Sequence, residues 1–456
     1  MTIIGNGVLV YWRSGFLACD TFPKQSTTFS KRSGLPSSNS TFRLNTSTTH
    51  LAEIDTPTGF PHTARAVSTA STRLTIDEVV ARAVERAGLD DFGPPTWREG
   101  LEILLGELNG DDRVSDQGYE AVIRRFVDAL WNRLRVFDYA KQHPEVRSGE
   151  IRAPLVILGM PRTATTVASY LLDQDPAHRS LLNWEAPDSI PPPTTETLRT
   201  DPRCLAKLEL QRKMVEGMRA AGIIPPHWED ADGPTECIFV QDQDFKALCW
   251  DSWQPNDVYS DWLMQCDMTS AYQYERLVLQ ILQSQAPGRW SLKMPSHAVH
   301  IETLVATFPD VKMIWAHRDP YKATGSLCST VEMGHRMLGF VDREAIGRTS
   351  VKQMREHVER PLRLRERIGD ANFFDLHYAN LMRDPIGEMR ALYAWAGEEL
   401  TPEVEMRMKE WLTTSPQDRF GPRRYSLEQY GLTKRELEPV FAEYLGRLEI
   451  ELEGVE

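Results

Sequence analysis

Apolar residues recur every three or four positions between residues 75 and 143, and this spacing predicts three amphipathic helices. The third helix is the longest and runs from about Ser115 to His143. Start and stop signals support these bounds: capping boxes at Thr75 with Glu78 and at Thr96 with Glu99, then Gly88 and Pro144 as terminators. We therefore expect a helical module over residues 73–150, acting as scaffold, as a dimer surface or as a lid over a substrate.

Short apolar runs replace the helical spacing from residue 154 onward. They cover residues 154–160, 289–294, 311–317 and 371–377, and their length and branched side chains are typical of buried parallel strands. Helical segments lie between them, at about 271–286, 297–308, 320–334 and 344–367. This alternation predicts an α/β fold, with a central parallel sheet flanked by helices in three layers as in P-loop proteins. The block 190–260 is rich in Pro and Trp and is expected to be irregular.

Residues 1–72 differ from the rest of the chain. Between positions 26 and 50 about half of the residues are Ser or Thr, and no apolar period is visible. Such a composition predicts a disordered low-complexity tail. Two alternatives stay open for this stretch, namely a transit peptide and a translation start assigned too far upstream. The predicted organisation is a tail over 1–72, the helical module over 73–150 and an α/β domain over 151–456.

The net charge and the cysteine pattern indicate which classes of ligand the protein can bind and in which cellular compartment it is expected. The formal net charge of −13 would repel DNA and RNA, and no basic stripe offsets it. No run approaches the ~18 apolar residues of a membrane-spanning helix, and the first residues lack the positive region of a signal peptide. The six cysteines are scattered without a CxxC pair, which predicts reduced thiols in a cytoplasmic protein and no metal site.

The first apolar run leads directly into the segment MPRTATT and then into a helix. A strand, a tight loop and a helix N-terminus form an anion site, because backbone N–H groups there lack partners and the helix dipole favours negative charge. Arg162 adds a fixed cation, and Thr163, Thr165 and Thr166 add hydroxyl donors. The segment therefore predicts binding of a phosphate or a similar anion.

A comparison with the Walker A pattern, GxxxxGK[ST], narrows the ligand. Gly159 and Thr166 occupy the ends of that pattern, but Ala164 replaces the second glycine and Thr165 stands where the lysine belongs. Without that lysine, ATP hydrolysis loses its main contact to the transferred phosphoryl group. A nucleotide-like ligand remains reasonable, whereas a kinase or an ATPase is disfavoured.

Three segments together resemble the PAPS-dependent sulfotransferases, where PAPS is 3′-phosphoadenosine 5′-phosphosulfate. GMPRTATT is similar to their 5′-phosphosulfate loop, with Ala164 in place of the usual glycine. WAHRDPYKATGSLCS is similar to their 3′-phosphate element, which implies phosphate contacts for Arg318 and Ser326. SLKMPSH is similar to the strand end whose lysine is directed at the sulfuryl group, here Lys293. The resemblance extends over about residues 152–430 and implies PAPS as co-substrate without a metal.

The resemblance also implies roles for individual side chains. The expected cofactor-binding residues are Arg162, Thr163, Ala164, Thr165, Thr166, Arg318, Ser326 and Arg424, the last from a C-terminal loop that closes over the nucleotide. The expected catalytic residues are Arg162, Lys293 and a base, which is either Glu185 or His297. If the loop requires a positive φ at Ala164, its methyl group would cost roughly 1 kcal/mol.

The acceptor is less defined by the sequence. A polar and aromatic block is expected either to form the acceptor pocket or to pack in the core, and it contains His227, Trp228, Glu229, Asp230, Glu236, Trp250, Trp253 and Trp262. The expected reaction is sulfuryl transfer to a hydroxyl of a small-molecule, lipid or glycan acceptor. A P-loop phosphotransferase and a non-catalytic nucleotide-binding protein on a sulfotransferase fold stay open as alternatives, and so does a homodimer.

Overall fold

The computed structural model describes residues 73–220, 229–414 and 425–454. Within these residues the chain forms five strands and fifteen α-helices. The strands are β1 (Leu155–Gly159), β2 (His178–Ser180), β3 (Arg289–Lys293), β4 (Lys312–His317) and β5 (Phe373–His377). The helices are α1 (Ile76–Ala87), α2 (Arg98–Gly110), α3 (Asp116–Gln142), α4 (Thr165–Leu172), α5 (Pro202–Ala220), α6 (Ile238–Gln241), α7 (Asp257–Leu263), α8 (Thr269–Gln283), α9 (Ile301–Thr307), α10 (Pro320–Arg336), α11 (Arg343–Ile368), α12 (Tyr378–Arg383), α13 (Pro385–Ala396), α14 (Pro402–Thr414) and α15 (Lys434–Arg447).

The described strands form one parallel sheet in the order β2-β3-β1-β4-β5. All five residues of the central strand β1 are buried, as expected when helices cover both faces. Ile157 is paired with Lys293, and Gly159 is paired with Ala316. The carboxyl ends of β1, β3 and β4 therefore meet at one edge of the sheet, and the predicted parallel α/β architecture is confirmed.

Alternate residues of β1 face two different cores, because successive side chains of a strand point to opposite faces. Leu155 and Ile157 pack in a core that includes Met389 of α13. Val156 and Leu158 belong to a second, larger core on the other face. Helix α13 thus packs on one face of the sheet, and the sheet is covered on both sides.

The first predicted helix is confirmed, but the cap predicted for the second is wrong. α1 has the Thr75 and Glu78 capping box and ends at a left-handed Gly88. A short 3₁₀ turn precedes α2, so Thr96 already has a helical neighbour and does not cap. Its hydroxyl donates instead to buried Asp244 at 2.7 Å. The sequence spacing of a capping box is present, but the Thr96 hydroxyl bonds to a residue distant in sequence and is not available to cap α2.

The N-terminal helices share a continuous core with the α/β part of the chain. Leu104 of α2 and Leu130 of α3 belong to the same cluster as Val278 of α8 and Leu292 of β3. A fully buried ion pair, 3.0 Å between Arg133 and Asp244, also crosses this boundary. The helical module therefore shares a core with the α/β part of the chain. Its role as scaffold, dimer surface or lid and its separation from the α/β domain at residue 150 stay predictions.

Helix α5 lies inside the block that was predicted to be irregular, and this prediction was wrong. Only Cys204 and Met218 of α5 are buried, so the helix has no continuous apolar stripe that the sequence pattern could reveal. The predicted tail over residues 1–72 lies outside the described residues. No helix in the described part of the chain, α5 included, has the length and apolar character needed to cross a membrane.

Candidate active site

The loop from β1 to α4 has an unusual backbone conformation. Gly159 has a φ of 127°, and a Cβ atom there would lie 2.5 Å from a backbone carbonyl oxygen of β4. Arg162 and Ala164 follow with φ values of 71° and 64°, a left-handed conformation that costs a side chain about 1 kcal/mol. The Thr163 hydroxyl donates to the carbonyl of Met160 at 2.8 Å and closes the turn. The loop therefore does require a positive φ at Ala164.

Two elements that are far apart in sequence meet beside this loop. The Nε of Arg162 donates to the hydroxyl of Ser326 at 3.0 Å. The Nη1 of Arg318 donates to the backbone carbonyl of Arg162 at 2.8 Å. Arg318 directly follows β4, and Ser326 lies in α10, whose N-cap is Asp319. The structure thus brings together three of the residues predicted to bind the donor.

Arg162 forms no ion pair with any carboxylate of the described residues, although its side chain is half-buried. Burial lowers the pKa of Arg162. Among the smaller electrostatic effects on this pKa, Tyr425 raises it most, the nearby guanidinium of Arg318 lowers it, and Glu236 raises it. A desolvated cation beside a second cation is stabilised by an anion that contacts both. The electrostatics of this part of the site therefore favour a negatively charged ligand.

Arg318 already has a carboxylate partner. Its Nε and Nη2 donate to the two carboxylate oxygens of Glu453 at 2.5 and 2.8 Å, and the backbone N–H of Glu453 donates to Asp319 at 3.0 Å. Burial lowers the pKa of Arg318, but the contacts with Glu453 and Tyr378 outweigh it, so the pKa lies above its ordinary value. The guanidinium of Arg318 is thus arranged to hold an anion through two oxygens.

Lys293, the last residue of β3, is buried among acidic side chains. Its ammonium group donates to Glu229 and, at 3.2 Å, to Glu236, and it lies 3.4 Å from the hydroxyl of Thr166. Burial lowers the pKa of Lys293, whereas the two carboxylates raise it and outweigh burial. The sequence had suggested Glu229 and Glu236 only as pocket or core residues, because no local spacing connects them with Lys293.

Glu185 lies apart from these cations. Its carboxylate is fully buried, and its two oxygens accept hydrogen bonds from Arg179 at 2.8 and 2.7 Å. One of them also accepts from the backbone N–H of Leu182 at 2.9 Å, which closes the turn after β2. The structure therefore pairs Glu185 with Arg179 and does not bring it to Arg162 or Lys293.

His297 is also fully buried and bonded within the core. Its Nδ1 lies 2.9 Å from the hydroxyl of Tyr272, and its Nε2 lies 3.9 Å from Glu275. His297, Glu275 and Cys237 are residue types that can bind a metal ion, and their potential ligand atoms all lie within 4.8 Å of one another. Burial lowers the pKa of His297 to about 3, raises that of Glu275 to about 7 and raises that of the Cys237 thiol. Metal binding requires deprotonated ligands. The raised pKa values of Glu275 and Cys237 therefore oppose metal binding, whereas the lowered pKa of His297 keeps its imidazole neutral and does not.

The described part of the chain resumes at Tyr425. The ring of Tyr425 packs on Gly325 of α10, where a Cβ atom would lie 2.9 Å from it. Tyr425 is also close enough to Arg162 and Arg318 to interact with both electrostatically. Arg424, which was expected to cover the nucleotide, lies outside the described residues.

Of the residues predicted to form the acceptor pocket or the core, Trp250 can be assigned from its contacts. Trp250 stacks on Phe245, with 5.4 Å between ring centroids, and meets the edge of Phe126 at 5.1 Å. Trp250 is therefore a core residue. His227 and Trp228 lie outside the described residues.

The fold and the site together define a class of protein. An anion-type loop follows β1, and cationic side chains stand at the ends of β3 and β4 at one edge of a parallel sheet, where α/β proteins bind their ligands. Such an edge is typical of α/β transferases that act on anionic groups. The chain belongs to the sulfotransferase family, whose profile matches residues 154–402.

Two solved mycobacterial structures are similar to most of the chain. Sulfotransferase STF9 from Mycobacterium avium is 52% identical with a TM-score of 0.80, and the match covers 85% of this chain and 100% of STF9. Sulfotransferase STF1 from Mycobacterium tuberculosis H37Rv is 29% identical with a TM-score of 0.72, covering 81% of this chain and 99% of STF1. These similarities confirm the α/β fold with its helical N-terminal region.

Curated relatives match a shorter segment. The omega-hydroxy-beta-dihydromenaquinone-9 sulfotransferases Stf3 of Mycobacterium bovis and Mycobacterium tuberculosis are 31% identical over 109 residues. The match covers 23% of this chain and 28% of the length of those relatives. It supports the family, and the acceptor named for those enzymes is a property of those enzymes.

Proposed function

We propose that this chain transfers a sulfuryl group from PAPS to a hydroxyl group of a small-molecule, lipid or glycan acceptor. Membership of the sulfotransferase family supports the class of reaction. One observation carries the donor assignment: Arg162 and Arg318 come from two separate motifs and are joined through Ser326 and through a backbone carbonyl. A donor with one phosphate at 3′ and a phosphosulfate at 5′ matches two anion sites held side by side.

The loop between β1 and α4 is assigned to the 5′-phosphosulfate. Backbone N–H groups at the start of α4 and the helix dipole supply positive potential there. In this proposal Arg162, Thr165 and Thr166 add side-chain donors. Thr163 keeps the loop closed through its bond to the backbone, and Ala164 provides the left-handed residue that begins α4.

The 3′-phosphate is assigned to Arg318 and Ser326. A guanidinium that presents two parallel N–H donors matches two oxygens of a phosphate, and Arg318 holds the two oxygens of Glu453 in that manner. In this proposal the phosphate takes the place of the Glu453 carboxylate. Arg424 would approach the same nucleotide from the C-terminal loop.

The transferred group is assigned to the space between Arg162 and Lys293. Sulfuryl transfer requires the acceptor oxygen to be in line with the leaving oxygen, and negative charge builds on that leaving oxygen. Donors that are already in position stabilise this charge without a reorganisation cost at the moment of reaction. Lys293 is held by its carboxylates and lies near Thr166 of the loop, which supports this role.

Two other functions are disfavoured by residues of the loop and its surroundings. A P-loop phosphotransferase would need a lysine at the position of Thr165. A non-catalytic nucleotide-binding protein would be expected to have lost a charged site residue, yet Arg162, Lys293 and Arg318 are all present. Among acceptors, lipid hydroxyls are the first class to test, because the Stf3 relatives are named for a hydroxylated menaquinone derivative.

The donor assignment is tested by calorimetric titration with 3′,5′-adenosine bisphosphate, the nucleotide product of PAPS. We expect micromolar binding by the unmodified protein and at least a tenfold loss for Arg318→Ala, which corresponds to ~1.4 kcal/mol. Mg-ATP, titrated in parallel, should bind more weakly, because the site lacks the Walker lysine.

Arg348→Ala serves as the matched control, because Arg348 is an exposed arginine on α11 with 64% of its side chain accessible. Its affinity for the bisphosphate should equal that of the unmodified protein. Failure of the folded, unmodified protein to bind the bisphosphate, or preference for Mg-ATP, would contradict the assignment of PAPS as donor.

A further inference from the structure

The strand that precedes Arg318 ends in a buried histidine. β4 ends at His317, which is the last residue of the strand that is paired with β5. The side chain of His317 is fully buried, yet both of its ring nitrogens have polar partners. Nδ1 lies 3.1 Å from the hydroxyl of Tyr444, and Nε2 lies 2.8 Å from a carboxylate oxygen of Asp375. The residue next to Arg318 is therefore held from two sides.

The two partners of this histidine come from different elements. Asp375 lies in β5, and its two carboxylate oxygens accept hydrogen bonds from Arg365 of α11 at 2.7 and 2.8 Å. Tyr444 lies in α15 and is buried. A phenylalanine would fill the same space without the cost of burying a hydroxyl group. The buried hydroxyl of Tyr444 therefore indicates a polar role at the end of β4.

The hydroxyl of Tyr444 also contacts Arg318 itself. Burial raises the pKa of Tyr444, and a hydrogen bond from the backbone N–H of Arg318 partly opposes this effect. Arg318 lies one position beyond the paired residues of β4, where a backbone N–H needs a partner other than a neighbouring strand. One hydroxyl thus contacts both the end of the strand and the backbone of the arginine that we assign to the 3′-phosphate.

These contacts give the chain of hydrogen bonds a single direction. The hydroxyl of Tyr444 accepts from the backbone of Arg318 and donates its own proton to Nδ1 of His317. The proton of a neutral His317 then lies on Nε2, which donates to Asp375. Burial lowers the pKa of His317 to about 4, an effect larger than the opposing one of Asp375, so the ring is neutral at neutral pH. Each of these buried donors therefore has an acceptor.

The guanidinium of Arg318 is oriented by neighbours on its other side. It lies 4.1 Å from the centre of the Tyr378 ring, and its Nη1 donates to the backbone carbonyl of Arg162 at 2.8 Å. The segment after α15 returns to the same place, because the backbone N–H of Glu453 donates to Asp319 at 3.0 Å. The side chain of Arg318 thus has a defined path, and its end point depends on where its backbone is held.

We propose that Tyr444 is a positioning residue for the sulfuryl donor, because its hydroxyl holds the backbone from which Arg318 reaches the 3′-phosphate. This inference rests on the proposed function and deepens it. Tyr444 does not contact the donor, and Asp375 supports it by keeping His317 in the tautomer that accepts from Tyr444. Recognition of a phosphate by two parallel N–H donors depends on their geometry. Loss of the hydroxyl should therefore weaken the contact with the 3′-phosphate and leave the 5′ site unaffected.

The test compares two nucleotides that differ only in the 3′-phosphate, namely 3′,5′-adenosine bisphosphate and adenosine 5′-monophosphate. Tyr444→Phe keeps the ring and removes the hydroxyl. We expect its affinity for the bisphosphate, measured by calorimetric titration, to fall about three- to tenfold, the size of one hydrogen bond. Its affinity for the monophosphate, measured by competition against the bisphosphate, should stay within about twofold of that of the unmodified protein.

Asp375→Asn tests the direction of the chain without removing the tyrosine hydroxyl. The amide can donate to Nε2 of His317, which moves the ring proton to Nδ1 and leaves the hydroxyl of Tyr444 facing two donors. We expect the same selective loss for the bisphosphate, by about two- to fivefold. Tyr393→Phe is the matched control, because Tyr393 is a buried tyrosine of α13 whose hydroxyl donates to Asp175 at 3.0 Å. Its affinity for both nucleotides should equal that of the unmodified protein.

Two results would overturn the inference. An equal loss of affinity for both nucleotides would make Tyr444 a residue that supports the fold in general, and an unchanged affinity for the bisphosphate would show that its hydroxyl does not hold Arg318. If Tyr444→Phe does not fold, as judged by circular dichroism, Asp375→Asn decides between the same outcomes. If the unmodified protein binds the two nucleotides equally well, the assignment of the 3′-phosphate to Arg318 itself fails and the inference fails with it.

Discussion

Two cations of the site are paired with carboxylates, and the two sets of ion pairs differ in solvent exposure. The lysine cluster consists of Lys293, Glu229 and Glu236, and the side chain of its cation is 1% exposed. The arginine clamp consists of Arg318 and Glu453, whose side chains are 16% and 32% exposed. Lys293 and Glu229 of the first group are enclosed by protein, whereas the second group lies where solvent and ligands can enter.

This difference teaches which charges are permanent parts of the site. Removing one member of a buried ion pair leaves an uncompensated charge in a low-dielectric environment, and this costs several kcal/mol. A partly exposed pair contributes only about 0–1 kcal/mol, because water and salt can replace either partner. The lysine cluster is therefore a fixed element, whereas the arginine clamp can exchange its carboxylate for a phosphate.

The largest expected effect breaks the lysine cluster. Lys293→Met keeps most of the side-chain volume but leaves Glu229 inside the protein without its ammonium partner. We expect a loss of about 3–5 kcal/mol in the free energy of unfolding, measured by denaturant titration. We also expect a loss of about 10²–10³-fold in transfer from [35S]PAPS, because a donor to the leaving oxygen has been removed.

The double variant Lys293→Met with Glu229→Gln separates these two effects. Neutralising Glu229 removes the uncompensated charge, so most of the lost stability should return while transfer stays low. A single variant that is as stable as the unmodified protein would contradict the view that this cluster is permanently paired.

A smaller effect is expected at the arginine clamp. Glu453→Gln removes the negative charge that occupies Arg318, so 3′,5′-adenosine bisphosphate no longer displaces an ion pair when it binds. We expect its affinity to rise by about two- to fivefold in calorimetry, in line with the ~1 kcal/mol of an exposed pair. The gain should shrink at high salt, which screens the pair in the unmodified protein.

Glu451→Gln is the matched control for the clamp, since Glu451 is an exposed glutamate two positions earlier in the same segment. It changes the net charge equally but leaves the contact with Arg318 intact, so the affinity should stay within the error of the unmodified protein. An equal rise in affinity for both variants would mean that the effect comes from net charge and not from the contact between Glu453 and Arg318.

In both groups the sequence predicted the cation but not its carboxylate partner. The strands, the loop after β1 and the cations Arg162, Lys293 and Arg318 could be placed because each lies within a local pattern of strand, loop and helix. The partners of those cations could not be placed. Glu229 is 64 residues from Lys293, and Glu453 is 135 residues from Arg318. Such contacts depend on chain packing, for which the spacing of residues carries no local signal.

The smallest expected effect lies in the loop that connects the two groups through Arg162 and Thr166. Ala164 has a φ of 64° there, and a left-handed conformation costs alanine about 1 kcal/mol. Ala164→Gly should therefore raise the free energy of unfolding by about 0.5 kcal/mol, because part of the ~1 kcal/mol relief is offset by the larger entropy of glycine in the unfolded chain. Ala168→Gly, in the buried interior of α4, should instead destabilise the protein, because glycine disfavours a regular helix. A loss of stability in both variants would mean that the methyl group of Ala164 contributes more through packing than its backbone conformation costs.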